Sequence, residues 1–343
     1  MFQANTGGVV MSHVERILIV WILFLSLFLA GAGQVVSAGG KVGLRVGYVP
    51  LLSQLPLVVS FENDRMDLEK VEPQLVRYTS FTSLEAAMRV GAIDLASLPI
   101  PIALSMTADG HKIKIIGTCH RGGSRLVART KGDLGSVRGN LIGVPGLDSG
   151  ENLKLSQVLG AADLRPGLDF KTIGVSLTTA INDLKAEKID ALYLPEPFGT
   201  IAEKEKIAVE VEGQEGKLTG TLDTVLVIRS EVFEKRKEAV EEWLESLVKN
   251  CRFIENDIKK SGAKQTAIIQ GPYFDYPEAI VISALLKGNG GLEFDRFVPS
   301  AEEIGGYMDL ATQMKLLTKS VDLNSLISVD SMEKLSKLRP VKK

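Results

Sequence analysis

Apolar runs alternate with amphipathic stretches along most of the chain. "VGLRVGYVP" (42–50) is a Val-rich run closing on Pro50; it predicts a buried strand, then a loop "LLSQLPL" and a helix over Val58–Arg65. A second strand is predicted near "VEPQLVRY", followed by a helix with Leu84, Ala87, Met88 and Gly91 on one face. "AIDLASL" reads as a third strand broken by Pro99 and Pro101. A helix over Ile102–Ala108 stops at Gly110, and "IKIIGTC" (113–119) is a fourth strand. After "RGGSRLVAR" a second series begins with the strand "NLIGVPG" (140–146), the helix "ENLKLSQVLG" and the strand "DFKTIGV". "IAVEVEG" and "TLDTVLVIR" are later strands. Strands alternating with helices predict βαβ units in mainly parallel sheets, an α/β fold.

The last third reads as helical. Ser230 is placed as the cap of a long helix with Val240, Trp243, Leu244, Leu247, Val248 and Cys251 on one face, and its charges "EKRKEAVEE" as a solvated surface. "SAEE" (300–303) has the spacing of a capping box that opens another helix.

The two series are related by a fixed shift. "SFTSLEAAMRVGAIDLASLPIP" (80–101) and "SLTTAINDLKAEKIDALYLPEP" (176–197) align without a gap at a shift of 96. Ser80/Ser176, Thr82/Thr178, Ile93/Ile189, Asp94/Asp190, Leu98/Leu194, Pro99/Pro195 and Pro101/Pro197 are identical, and Gly143 lies 96 after Gly47. This predicts two lobes of similar architecture. The paired Ile-Asp dipeptides read as helix-to-strand structure.

At about 150 residues per domain, 343 residues fit two domains. Ile17–Ala30 is a run of 14 apolar or small residues after Arg16, and "VVSA" (35–38) has small residues at the −3 and −1 positions. That is the layout of a signal peptide cleaved after Ala38, and the run is shorter than the roughly 20 residues that span a bilayer. A net charge of −2, with no basic cluster interleaved with aromatics, gives no electrostatic case for nucleic acid. Cys119 and Cys251 lie 132 apart and form no disulfide framework; both are expected as small buried apolar residues.

Acid–base candidates are few. After residue 38 only His111 and His120 remain, and there is no C-x-x-C, H-E-x-x-H, calcium loop, Walker loop or G-x-G-x-x-G. Cys119 and His120 are neighbours in a predicted strand and so point to opposite faces, which argues against a nucleophile pair. No metal or cofactor is expected, and catalysis is the weaker reading. Ligands of open parallel sheets bind beyond the carboxyl ends of the strands. There the repeats place hydroxyls, Ser80, Thr82 and Ser83 in one lobe and Ser176, Thr178 and Thr179 in the other. "PGLDSGENL" adds a helix terminus with Asp148 and Glu151 in capping-box spacing and Ser149 and Gly150 exposing N–H groups. Each hydroxyl alone is also explained by helix capping.

In this order, "GYVPLLSQLPL", "AAMRVGAIDLASLPIPIALSMTADG" and "KIDALYLPEPFGTIAE" resemble the nitrate/sulfonate/bicarbonate-type periplasmic substrate-binding proteins of ABC importers, related to the thiamine-pyrimidine synthases. The resemblance covers about residues 42–330. It implies a type II periplasmic-binding-protein fold, with lobe 1 over 41–120 plus 223–343 and lobe 2 over 124–218. Hinge crossings fall near 119–126 and 218–223, where Gly122, Gly123 and Gly220 suit a bend. It further implies ligand contacts at Ser53, Gln54, Ser80, Phe81, Thr82, Ser97, Arg121, Ser149, Gly150, Thr178, Thr179 and Glu196, with Arg121 the candidate anion contact. Acidic residues near the cleft leave the charge of the solute open. The implied partners are a small polar solute and a membrane permease, and the implied state is a monomer. An enzyme of the synthase type and a sensing module are the alternatives.

Overall fold

The computed structural model describes residues 40–218, 221–288 and 291–337. The predicted signal peptide lies outside them. In chain order the first half supplies β1 (Val42–Tyr48), α1 (Leu55–Asp64), β2 (Val71–Arg77), α2 (Phe81–Arg89), β3 (Leu95–Pro99), α3 (Ile100–Ala108) and β4 (Ile113–Gly117). The second supplies β5 (Ser124–Ala128), β6 (Leu141–Val144), α4 (Gly150–Gly160), β7 (Lys171–Gly174), α5 (Ala180–Lys185), β8 (Ala191–Pro195), α6 (Phe198–Lys204), β9 (Val209–Glu210) and then β10 (Thr224–Arg229). Two five-stranded sheets result, ordered β2-β1-β3-β10-β4 and β7-β6-β8-β5-β9. In each, the fourth position is antiparallel to its neighbours and is filled by the strand that arrives from the other lobe. The chain therefore crosses between lobes twice, before β5 and before β10.

The shift of 96 is physical as well as textual. Asp94 accepts the Arg45 amide at 3.0 Å, and Asp190 accepts the amide of Leu141, the residue 96 after Arg45, at 2.9 Å. A Cβ on Gly47 would lie 2.5 Å from Ile93 Cδ1; one on Gly143 would lie 3.1 Å from Ile189 Cδ1. Each lobe thus repeats one device, in which a glycine in the first strand admits the isoleucine that precedes the third. The Asp residues brace the strand starts, as their sequence reading held.

Several boundaries differ from expectation for local reasons. The "LLSQLPL" loop is a short 3₁₀ turn, and α1 starts at Leu55 with Pro56 in its first turn, where the missing N–H is no loss. α3 likewise begins two residues early, with Pro101 in its first turn. β5 was unassigned in sequence because Arg125 interrupts its apolar pattern. Ser230 is the first residue of a short helix rather than its cap, and the backbone breaks at Arg236 before α7 (Lys237–Ser261). The charged stretch is not merely solvated: Glu242 accepts the amides of Glu69, Lys70 and Val71 at 2.8–2.9 Å.

Trp243, Leu247 and Ile254 of α7 are buried in one core with Val58 of α1 and Leu44 and Val46 of β1. α8 (Glu278–Leu285) reaches toward α6, and α9 (Ala301–Gln313) opens on the Ser300–Glu303 capping box, as predicted. α9 packs on both α3 and α4 and so spans the two lobes. Among the described residues no helix is long and apolar enough to cross a membrane.

Candidate ligand-binding cleft

The carboxyl ends of β3, β4, β6 and β8 and the two crossings meet between the lobes. Polar side chains from β3, from the starts of β5, β10 and α4 and from both crossings are buried there and joined in one network. Ser97, on β3, donates to Thr224 Oγ1 at 3.3 Å. Thr224 Oγ1 lies 3.4 Å from His120 Nε2, which is 3.2 Å from Asp223 Oδ1. The Ser124 hydroxyl lies 3.3 Å from Asp223 Oδ2 and 3.2 Å from Glu151 Oε1, on the first turn of α4. First crossing, second crossing and both lobes are thereby linked through side chains that solvent hardly reaches. Burial, with Asp223 close by, pushes the Glu151 carboxyl up to about 8, against donation from its own amide and from Ser124 and Ser149.

Tyr307 of α9 covers this network. A Cβ on Gly150 would lie 3.4 Å from both the Tyr307 ring and the Asp223 carbonyl. On its other side, Tyr307 lines a cavity of about 470 Å³ walled also by Arg121, Lys154, Gln157, Leu222 and Glu303. The backbones of the two crossings meet where the Gly122 amide donates to Thr221 O at 2.9 Å. Gly122 and Gly123 hold φ of 66° and 88°, a conformation that glycine adopts without strain.

The predicted site residues divide into three groups. Gln54, Ser97, Ser149 and Gly150 are buried at the strand ends: Gln54 donates to Ser97 O at 3.1 Å, and Ser149 caps α4 by accepting the Asn152 amide at 3.1 Å. Ser53 is buried beside Cys119. Asp148 is exposed and does not cap the helix.

A second group is engaged in other bonds. Arg121 makes a two-point ion pair with Glu303, leaving its Nε buried and without a partner. Glu196 accepts from Arg125 Nε at 2.6 Å and from the Thr200 amide at 3.1 Å. Arg125 also meets Glu203 at 3.0 Å and Glu210 at 2.8 Å.

The third group lies outside the network. Ser80 caps α2 in a reciprocal box with Ser83, Phe81 is buried in the apolar cluster, and Thr82 is exposed. Thr178 and Thr179 are exposed, the latter donating to Asp183 at 2.8 Å. Phe81 and Ala180 share one continuous cluster of buried side chains that also holds Leu98, Leu153 and Tyr307.

The resemblance also placed pocket contacts on the 121–124 crossing, which holds Ser124, but Asp223 and Tyr307 were not singled out in sequence. The only available signal was position, since Asp223 ends the predicted second crossing. Cys119 and Cys251 are free thiols, both buried, and burial pushes the Cys119 thiol up to about 12, far from a nucleophile's range. His120 turns to Asp223 while Cys119 turns to the opposite core. Among the described residues no group of three or more His, Cys, Asp or Glu could hold a metal ion.

The model of the NMT1-like family matches residues 37–269. A ligand-binding component of an ABC-type import system from Staphylococcus aureus, solved with zinc bound, superposes with TM-score 0.75 at 19% identity, covering 86% of this chain and 99% of that one. The periplasmic nitrate-binding protein NrtA of Synechocystis PCC 6803 gives 0.76 at 14%, covering 89% and 91%. The alkanesulfonate-binding protein SsuA of Xanthomonas axonopodis pv. citri, bound to MOPS, gives 0.67 at 17%, covering 87% and 100%. In sequence, the bicarbonate transport ATP-binding protein CmpC of Synechococcus elongatus is 26% identical over 239 residues, 63% of this chain. The chain spans about a third of that relative's length (36%). The two-lobed fold of periplasmic binding proteins is thus shared.

Proposed function

The chain belongs to the NMT1-like family, and from that premise we propose that it is a solute-binding receptor of an ABC import system, acting in the periplasm. The observation that carries this reading is the convergence of Ser97, His120, Ser124, Glu151 and Asp223, from both lobes and both crossings, into one buried polar network. Residues so distant in sequence meet there, and among the described residues no group of three or more His, Cys, Asp or Glu beside them could hold a metal ion. Many convergent hydrogen-bonding groups at a meeting of two lobes suit the capture of a small polar solute.

Capture proceeds by rotation of the lobes about the crossings, with 41–120 plus 223–343 moving against 124–218. Gly122 and Gly123 absorb the backbone change, and the buried side chains exchange contacts with one another for contacts with the solute. The closed shape is what a membrane permease would read, and the receptor works as a monomer.

Hydrogen exchange tests the reading. In the presence of a small-molecule extract of the source cells, the amides of 118–124, 149–153 and 221–224 gain protection together. Protection that changes elsewhere, or nowhere with any fraction of the extract, contradicts it.

A further inference from the structure

We infer that the solute presents a protonated nitrogen group, an ammonium, amidinium or guanidinium, to Glu151 and Asp223. This rests on the receptor reading above and narrows it to one side of the charge question. The Ser124 hydroxyl lies within 3.3 Å of both carboxyl groups but carries one proton, so it satisfies only one of them at a time; in the unliganded site the proton that Glu151 keeps fills the remaining place, and a cationic nitrogen would take over from that proton. His120 reaches Asp223, and the Ser149 hydroxyl reaches Glu151. Among the described residues no lysine or arginine pairs with Glu151 or Asp223. The two arginines that flank Ser124 in the first crossing are committed elsewhere, Arg121 to Glu303 and Arg125 to Glu196, Glu203 and Glu210.

A helix N-terminus ordinarily favours an anion, and α4 begins here. That place is already taken by Glu151, whose own amide and the Ser149 hydroxyl donate to it. An oxyanion would meet two carboxyl groups and a filled helix end. One residue further along the same turn, Asn152 Oδ1 is buried and accepts from nothing. Surplus acceptors in a buried site call for donors, and a charged donor pairs best with a carboxylate. The cavity that Tyr307 lines gives room for the rest of the solute.

Thermal-shift and calorimetric titrations of the full chain with acetamidine, methylguanidine and agmatine, against nitrate, methanesulfonate and bicarbonate, test the inference. The expected result is stabilisation by the nitrogen cations alone, with affinity falling about tenfold or more in Glu151→Gln and in Asp223→Asn. Glu151→Gln is nearly isosteric with the protonated carboxyl that the unliganded fold holds, so it is expected to fold, and its melting without ligand checks that directly. Stabilisation by the anions, or cation binding that neither substitution weakens, overturns the inference and leaves the receptor reading intact. No binding by either series, together with no co-purifying solute in native mass spectrometry, overturns both.

Discussion

Lys287 Nζ, just past the end of α8, lies 2.8 Å from Glu203 on α6 of the other lobe. It also reaches Glu210 at 2.6 Å, so one lysine joins a network in which buried Arg125 faces Glu196, Glu203 and Glu210. The network holds two cations against three carboxyl groups, and it ties the helical layer of one lobe to the sheet edge of the other. Glu203 sits below the ordinary carboxyl range: burial opposes this, but the bonds from Lys287 and Arg125 prevail. Lys287→Ala is therefore expected to lower stability by about 1 kcal/mol at low ionic strength and by less at high ionic strength, where the parent's pairs are screened, read by thermal denaturation at both. Equal melting at both salt levels in parent and variant would show that the contact does not tie the lobes.

Arg125 carries more. It is almost wholly buried and its removal strands Glu196, which is equally buried. Arg125→Ala should cost about 3–5 kcal/mol in urea unfolding, and Arg125→Lys should recover only part, because an ammonium cannot reproduce the fork that meets Glu196 and Thr200 together.

Stability should depend on pH through Glu151. Its carboxyl rises on folding from 4.5 to about 8, so the folded chain holds a proton that the unfolded chain releases in that window. Stability of the unliganded protein therefore falls as pH rises from about 4.5 to about 8 and is level above. The groups facing it are Asp223, Ser124, Ser149, Tyr193 and Tyr307. Melting curves across this range should slope downward in the parent and flatten in Glu151→Gln. A parallel slope in both would remove Glu151 as the source.

The glycine–isoleucine device of the repeat can be broken and partly mended. Gly47→Ala places a methyl 2.5 Å from both Ile93 Cδ1 and Leu84 Cδ1 and should cost about 1–3 kcal/mol. Adding Ile93→Val, which deletes one of the two colliding atoms, should return part of that loss, measured by a double-mutant cycle. Strict additivity would mean that the two residues do not meet.

Much of the fold was legible because the gene carries its architecture twice. A shift of 96 pairs Gly47 with Gly143 and Asp94 with Asp190, and both pairs recur as the same contacts. The strand β5 was hidden because a buried, fully paired Arg125 looks like a surface residue in a linear pattern. The cleft was legible only in part. Ser149 and Gly150 were placed by their helix terminus, and Gln54 and Ser97 by the family resemblance; all four are buried at the strand ends. Asp223 and Tyr307 were not placed, because they become neighbours of Glu151 only after the second crossing and α9 fold back over the first. Thr82, Thr178 and Thr179 lie exposed outside the buried network, and their sequence signal is ambiguous, since helix starts are rich in Ser and Thr whether or not a ligand comes near.

The central claim is that one small solute is held between the lobes at the buried network. Native mass spectrometry of the protein purified from its own cells, without denaturation, tests it most directly. The account predicts a one-to-one complex whose added mass is lost on unfolding and is absent when Glu151→Gln and Asp223→Asn are combined. A parent protein that carries no added mass, or a double variant that carries the same mass at the same occupancy, would contradict it.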